Sequence, residues 1–545
     1  MASLSPSSGV LGTRRAAHLL RRSSLLYTRG RVDSTAQLTV AQAVNQLLQA
    51  PPPLQMAEPI DPQTGQAWIQ NNVGIGSGNG LVYRTYVQGW WINESLNDPT
   101  INHKMMLFLH NTFTASYVIS GGNGDRFYDH LALMKHYSLG NFKEFAKKMT
   151  LDYMMLVYLN NNLNRKNAPN ENYAREFLEL FTIGKGPQAG PGNYTNYTED
   201  DVVEAAKVFS GFTTALRTSQ YIDPDTGIYA GRAIFSQHDT SDKMFSSAFG
   251  NAIITGATSQ TDMFRELGDF IDMIFAQNET ARFFCRRLYR YFVRAEITQE
   301  IEDDIIGPLA NTFINNNFDI QPVLSRLLKS QHFFDEDDSD ATDETIGAII
   351  KSPLEMLCHA MTFFKVDIPD PATQPLEHYD TFWRRFVNLV YLNLSSFNVF
   401  APDSVAGYPA YYQAPNYDKS WFNSSTLIAR YKLGEMLVTG RKVLAGGTIG
   451  TQLNSIGYIE DVNHVSDPSD AQKVVDEMID YLFPELADTS RRSYMTDDIF
   501  LDNLNPLNWY FEWLNYQNSG DDADVRTSSD QFIQVLLRTP EFQLM

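Results

Sequence analysis

The chain has 545 residues, 43% of them hydrophobic and 12% aromatic, the composition of a folded protein rather than a disordered one. Its formal charge of −21 argues against a nucleic-acid or anionic-membrane surface, both of which need clustered Lys and Arg. Cys285 and Cys358 are the only cysteines and neither sits in a CxxC, which leaves no disulfide scaffold and no zinc knuckle.

Near the N-terminus, Arg14-Arg15 is not followed by the apolar stretch of an export signal. The arginines instead frame Ala16, Leu19 and Leu20, spaced for one face of a helix. No segment reaches the ~18 consecutive apolar residues of a membrane span, and with no signal visible the sequence by itself reads as cytoplasmic, the compartment being left open. In "KMMLFLHNTFTASYV", residues Met106, Leu109, His110, Phe113 and Tyr117 fall on one helical stripe. "YTEDDVVEAAKVFSGF" opens on Thr198 and Asp201 in capping-box spacing, buries Val202, Ala205, Ala206 and Phe209, and stops at Gly211. Further helices are expected over 142–160, 263–294, 301–316, 321–331, 350–364, 379–394 and 471–483.

Strand signal is thin. A hairpin is expected around Asp225-Thr226-Gly227, and "RKVLAGGTIGTQL" is open between strand and Gly-rich loop. The fold class that follows is all-α, a large multi-helix array with a small β-hairpin excursion and long loops. The acidic run 335–345 is the best linker, separating an N-terminal helical portion (1–334), which carries the polar motifs, from a C-terminal one (346–545). "LLKSQHF" (327–333) and "LLRTPEF" (536–542) echo each other at the ends of these portions, with the final Phe expected to fold back on the leucines.

Three polar stretches are candidates for chemistry. In "NENYAREFLELF", a helical wheel gathers Tyr173, Ala174, Phe177, Leu178, Leu180 and Phe181 on an apolar face, opposite Glu171, Asn172, Arg175, Glu176 and Glu179. Asn170 is the expected N-cap, and Glu171–Arg175 and Arg175–Glu179 the expected ion pairs. Periodicity alone favours an ordinary helix with a solvated face. His110 lies on an apolar stripe, either as a core histidine with bonded ring nitrogens or as a metal ligand or general base. "SQHDTSDK" sets His238 beside Asp239 in a loop, a pair that could orient a base or simply compose a turn. The aromatic stretch 406–422 fits a partner or sugar surface, or a loop packed on its own domain. "DEDDSD" lacks the turn glycine and closing glutamate of a calcium loop, and GxSxG, P-loop, HExxH and Rossmann patterns are absent.

Taken in order, "RRAAHLLRR", "KMMLFLHNTF", "NENYAREFLELFTIG", "YTEDDVVEAAKVFSGF", "HDTSDK", "KSPLEML" and "SVAGYP" give the chain a pattern that resembles the bacterial domain-of-unknown-function 1800 family. The resemblance implies a mostly helical protein, often exported, whose gene often neighbours one for an exported sulfatase-like protein. It brings no established reaction. The family pattern commonly reads HNHF where this chain has Thr112 as third residue, and ELHTLG where it has Phe181. A family His/carboxylate metal centre would therefore retain here only His110, Glu176, Glu179, His238 and Asp239.

Two functional expectations follow. One is an enzyme of undefined reaction, with metal-assisted hydrolysis and a divalent metal as candidates. In it His110 serves as base or ligand, Glu176 as carboxylate partner, Arg175 as anion clamp, and His238 with Asp239 as a second polar arm. Glu176 is chosen because its wheel position borders the apolar face, where desolvation raises a carboxyl pKa. The other is a non-enzymatic assembly or scaffold protein working with a sulfatase-like partner, its polar motifs forming buried networks that fix helix register.

Overall fold

The computed structural model describes residues 2–50, 61, 80–122, 124–191, 193–215, 221–337, 344–442, 448–449 and 453–545. Among these the chain is mostly helical, with four two-stranded antiparallel pairs as its only sheets. One apolar core runs from Leu11 to Phe542. No described helix is long and apolar enough to cross a membrane.

Several helices form as the periodicity requires, but local chemistry cuts the longest ones. The stretch 142–160 breaks into Phe142–Met149 and Tyr153–Tyr158, because the Asp152 carboxylate accepts the Met155 N–H and starts a new helix. The stretch 263–294 divides at Ala276 and Gln277 into Gln260–Phe275 and Asn278–Phe292. Residues 301–316 pass through a π-helical segment, Glu302–Ile306, before Gly307–Asn315. The segment expected over 379–394 is wound as a π-helix over Glu377–Leu392. Ile320–Leu328, Pro353–Phe363 and Ala471–Leu482 lie where expected, the second opened by a Ser352–Glu355 capping box.

The His110 helix is Asn102–Thr112, and every one of its eleven residues is buried. Its apolar stripe is thus only part of what it packs, and Phe113 and Tyr117 lie beyond its end. The hairpin is present: Phe212–Thr213 pairs antiparallel with Arg232–Ala233, and the Asp223 carboxylate accepts the Asp225 and Thr226 N–H groups in the turn. Residues 216–220 of that segment lie outside the described residues, as do 338–343 of the acidic run. Of the Gly-rich stretch, Arg441–Lys442 pairs with Thr448–Ile449, and 443–447 and 450–452 lie outside.

The sequence echo is a shared structural device. The Ser330 hydroxyl donates to Leu327 O and accepts the Phe333 N–H; the Thr539 hydroxyl donates to Leu536 O and accepts the Phe542 N–H. Phe333 and Phe542 are wholly buried, as are Leu327, Leu328, Leu536 and Leu537. Each closure also meets the chain just ahead of a helix, through the bridges Pro6–Ser330 and Ile350–Leu544. Contacts cross the two portions as well: Lys104 pairs with Glu355 in the core, and Gln88 Nε2 donates to Val399 O at 3.0 Å.

Candidate functional site

His110 lies in the last turn of its helix, in the core, its side chain fully out of solvent. Its Nδ1 lies 3.4 Å from His130 Nε2, and His130 Nδ1 lies 2.9 Å from Asp152 Oδ2. The carboxylate takes the His130 Nδ1–H; with the His130 ring neutral, its Nε2 accepts from His110 Nδ1–H and His110 Nε2 carries the lone pair. That atom is buried and has no hydrogen-bond partner among the described residues. Burial, and then His130, hold His110 well below the ordinary histidine range, so the ring is neutral at neutral pH. Phe400 packs edge-to-face on it, ring centres 4.9 Å apart.

Two family motifs meet at this point. Asn111 Oδ1 accepts the Tyr408 N–H at 3.0 Å, and Gly407, at φ +94°, lies so close that a Cβ there would sit 2.1 Å from the same oxygen. Ser396 and Phe400 also hold left-handed backbone, at φ 56° and 58°. Phe397, Asn398, Ala401, Asp403, Ser404 and Tyr408, from the same segment, line a surface pocket of about 330 Å³. The aromatic stretch largely turns inward, with Tyr408 stacked on Phe397 and both against Trp421.

The "NENYARE" helix, Asn172–Glu176, continues as a π-helix over Phe177–Thr182. Asn170 Oδ1 accepts the Asn172 N–H, while Glu171 holds the N-cap position without a side-chain cap bond. The apolar face is buried as the wheel requires, except that Leu180 is half-buried. Glu171–Arg175 forms at 3.3 Å, but Arg175–Glu179 does not. The wider π turn carries Glu179 to Lys185, at 2.5 Å, and Arg175 reaches Glu199, at 2.7 Å. The Arg175 guanidinium is thereby occupied by two carboxylates. Glu176 is half-buried and has no hydrogen-bond partner among the described residues. Burial, then the nearby Glu179, raise its carboxyl to about 7.

His238 is fully buried. Its Nδ1 lies 2.7 Å from Ser210 O and its Nε2 3.2 Å from Glu266 Oε2, with Lys243 Nζ 2.6 Å from Glu266 Oε1. All three side chains are 0% exposed. The carboxylate facing His238 is therefore Glu266, from the helix Gln260–Phe275, and not its neighbour Asp239. Asp239 closes a local turn on the Ser241 N–H and hydroxyl, which hold its carboxyl low against the opposing effect of burial. Its backbone carbonyl accepts from Lys243.

Each motif thus has partners of its own. Among the described residues no hydrogen bond or ion pair joins His110, Glu176 and His238, and no group of three or more His, Cys, Asp or Glu is placed to hold a metal ion. His130, Asp152 and Glu266, the groups that decide what the histidines do, carry no sequence signal beyond being polar within helical stretches.

No curated protein matches the chain, and no solved structure does. The family model for "Protein of unknown function (DUF1800)" matches residues 18–544, a span that takes in the His110 relay, the π-turned "NENYARE" helix, the His238 network and both Ser/Thr–Phe closures. The chain belongs to the DUF1800 family.

Proposed function

We propose that the protein is an enzyme in which His110 Nε2 is the proton acceptor. The supporting observation is the lone pair itself: a neutral imidazole nitrogen, oriented by His130 and Asp152, left unpaired in the core beside a pocketed, left-handed loop segment. An unpaired buried acceptor costs about 1–3 kcal/mol, and such costs recur where a group is kept for chemistry. His130 and Asp152 act as positioning residues, and Phe400 packs edge-to-face against the imidazole. Glu176, near pH 7 in its titration, is the second proton carrier. His238, Asp239 and Arg175 are engaged by other partners and take no part in proton transfer in this reading. The reaction class favoured is hydrolysis, with His110 drawing a proton from water.

The test is turnover of a panel of carboxylic, phosphate and sulfate esters by wild type and by His110→Phe. Phenylalanine fills the site without a lone pair, so the variant is expected to stay folded, at a cost of about 1–3 kcal/mol for the stranded His130 Nε2, while losing turnover. Turnover unchanged in His110→Phe refutes the reading.

A second reading, a docking or scaffold protein, is favoured by one feature. On the helix Pro506–Ser519, Leu507, Tyr510, Phe511 and Leu514 form an exposed i, i+3, i+4, i+7 stripe, Phe511 being 61% exposed, while Trp509 and Trp513 hold the opposite side in the core. The sulfatase-like protein implied by the family resemblance is the first partner to try. Phe511→Glu should abolish its co-purification without lowering the melting temperature; capture unaffected by that change would count against this surface.

A further inference from the structure

The helix Asn278–Phe292 carries four arginines, and they are treated differently. Arg282 and Arg286 are neutralised: Glu302 lies 2.7 Å from each, and Glu279 lies 2.5 Å from Arg286. Arg287 and Arg290, three residues apart and so neighbours on the helix surface, have no carboxylate within ion-pair distance among the described residues. Arg287 Nη1 donates to Leu180 O at 2.8 Å and Thr112 O at 3.4 Å, which ties together the ends of the "NENYARE" and His110 segments. Its guanidinium lies 5.2 Å from the Phe283 ring centre, and its Nε and Nη2 make no hydrogen bond among the described residues. Arg290 donates Nε to Ala295 O at 3.2 Å and lies 5.0 Å from the Tyr417 ring centre, leaving Nη1 and Nη2 unengaged.

Two half-buried cations side by side repel each other, and cations withdrawn from water are normally paired. Burial, then Arg290, lower Arg287 to about 10, the direction expected of a cation short of negative charge. Each guanidinium packs against an aromatic ring, and unengaged guanidinium edges are the ones that grip planar or tetrahedral oxyanions through paired N–H donors.

We propose that Arg287 and Arg290 together bind a small oxyanion, the carboxylate, phosphate or sulfate group of a ligand, where the Thr112 and Leu180 carbonyls meet the aromatic segment 406–422. The site is separate from His110 Nε2 and stands whether or not that atom transfers protons.

Isothermal titration of the full chain with sodium phosphate, sulfate and acetate, each balanced with chloride to constant ionic strength, tests it. Saturable binding is expected with at least one, weakened about tenfold or more in Arg290→Gln, whose one hydrogen bond to Ala295 is expendable. Arg287→Lys, which keeps the charge and loses the fork, should weaken it similarly. Melting curves of both variants check that they fold. Binding of phosphate or sulfate alone assigns a tetrahedral anion, and binding of acetate alone a carboxylate. No saturable binding by any of the three, or binding indifferent to both substitutions, overturns the proposal.

Discussion

Glu266→Gln isolates what the "HDTSDK" loop is for. Glu266 accepts the Ala257 N–H at 2.7 Å through Oε2, the atom that also faces His238, while Oε1 faces Lys243 at 2.6 Å. A glutamine that keeps its carbonyl oxygen on Ala257 turns its NH₂ donor towards the Lys243 ammonium, and one that is flipped sets the NH₂ against the Ala257 N–H and His238. Lys243 is then a fully buried cation with only the Asp239 carbonyl as acceptor. Breaking one member of such a buried pair costs about 3–5 kcal/mol. Lys243→Met leaves the opposite orphan, a buried carboxylate, at a similar cost. The double variant has no unpaired charge, so its cost should fall short of the sum of the singles by about 2–3 kcal/mol. Urea unfolding followed by far-UV circular dichroism gives all four stabilities. Two small, additive single effects would mean that the three side chains are not one closed network. His238 would then return as a group free for catalysis.

Glu176 should make stability pH-dependent in an unusual direction. Its carboxyl titrates near 7 in the folded chain against an ordinary 4.5, so between those values the folded state binds more protons than the unfolded one, and stability falls as pH rises. In Glu176→Gln that loss should vanish; a melting-temperature profile identical to wild type from pH 5 to about 8 contradicts the assignment. Asp201 is buried and accepts from the Thr198 N–H and hydroxyl and from the Ser246 N–H and hydroxyl. Asp201→Ala should cost about 1 kcal/mol for the cap plus about 1–3 kcal/mol for the stranded Ser246 donors, against about 1 kcal/mol for Thr198→Ala, by chemical denaturation. Equal costs would show that the Ser246 bonds contribute nothing. Gly407→Ala should destabilise by about 1–3 kcal/mol, since it combines a left-handed φ with a clash on Asn111, and a neutral thermal melt would contradict the close approach.

Much of the helical architecture is written locally. Thr198 and Asp201 close their capping box because its spacing is set within one turn, and Val202, Ala205, Ala206 and Phe209 bury as their period demands. The Ser330 and Thr539 closures are legible for the same reason: a hydroxyl bonding the carbonyl three residues back and the N–H three ahead is short-range chemistry. The helix breaks were less visible, since Asp152 reads as one more polar residue until its carboxylate is seen to cap the next helix. A 100° wheel likewise assumes the α pitch, so the π turn after Glu176 moved Glu179 away from Arg175, while Glu176 kept the desolvated border that the wheel assigned it.

The chemistry of the histidines was decided only by tertiary contact. Asp152 and His130 lie 42 and 20 residues along the chain from His110, and Glu266 lies 28 from His238. Partners at such separations leave no periodic trace. The sequence could therefore mark His110 as a histidine on an apolar helical stripe and His238 as a loop histidine, and determine the helix that carries the first. Which nitrogen is left bare, and which carboxylate answers each ring, depended on how those helices pack, because hydrogen bonding is set by distances of a few ångströms that no local pattern encodes.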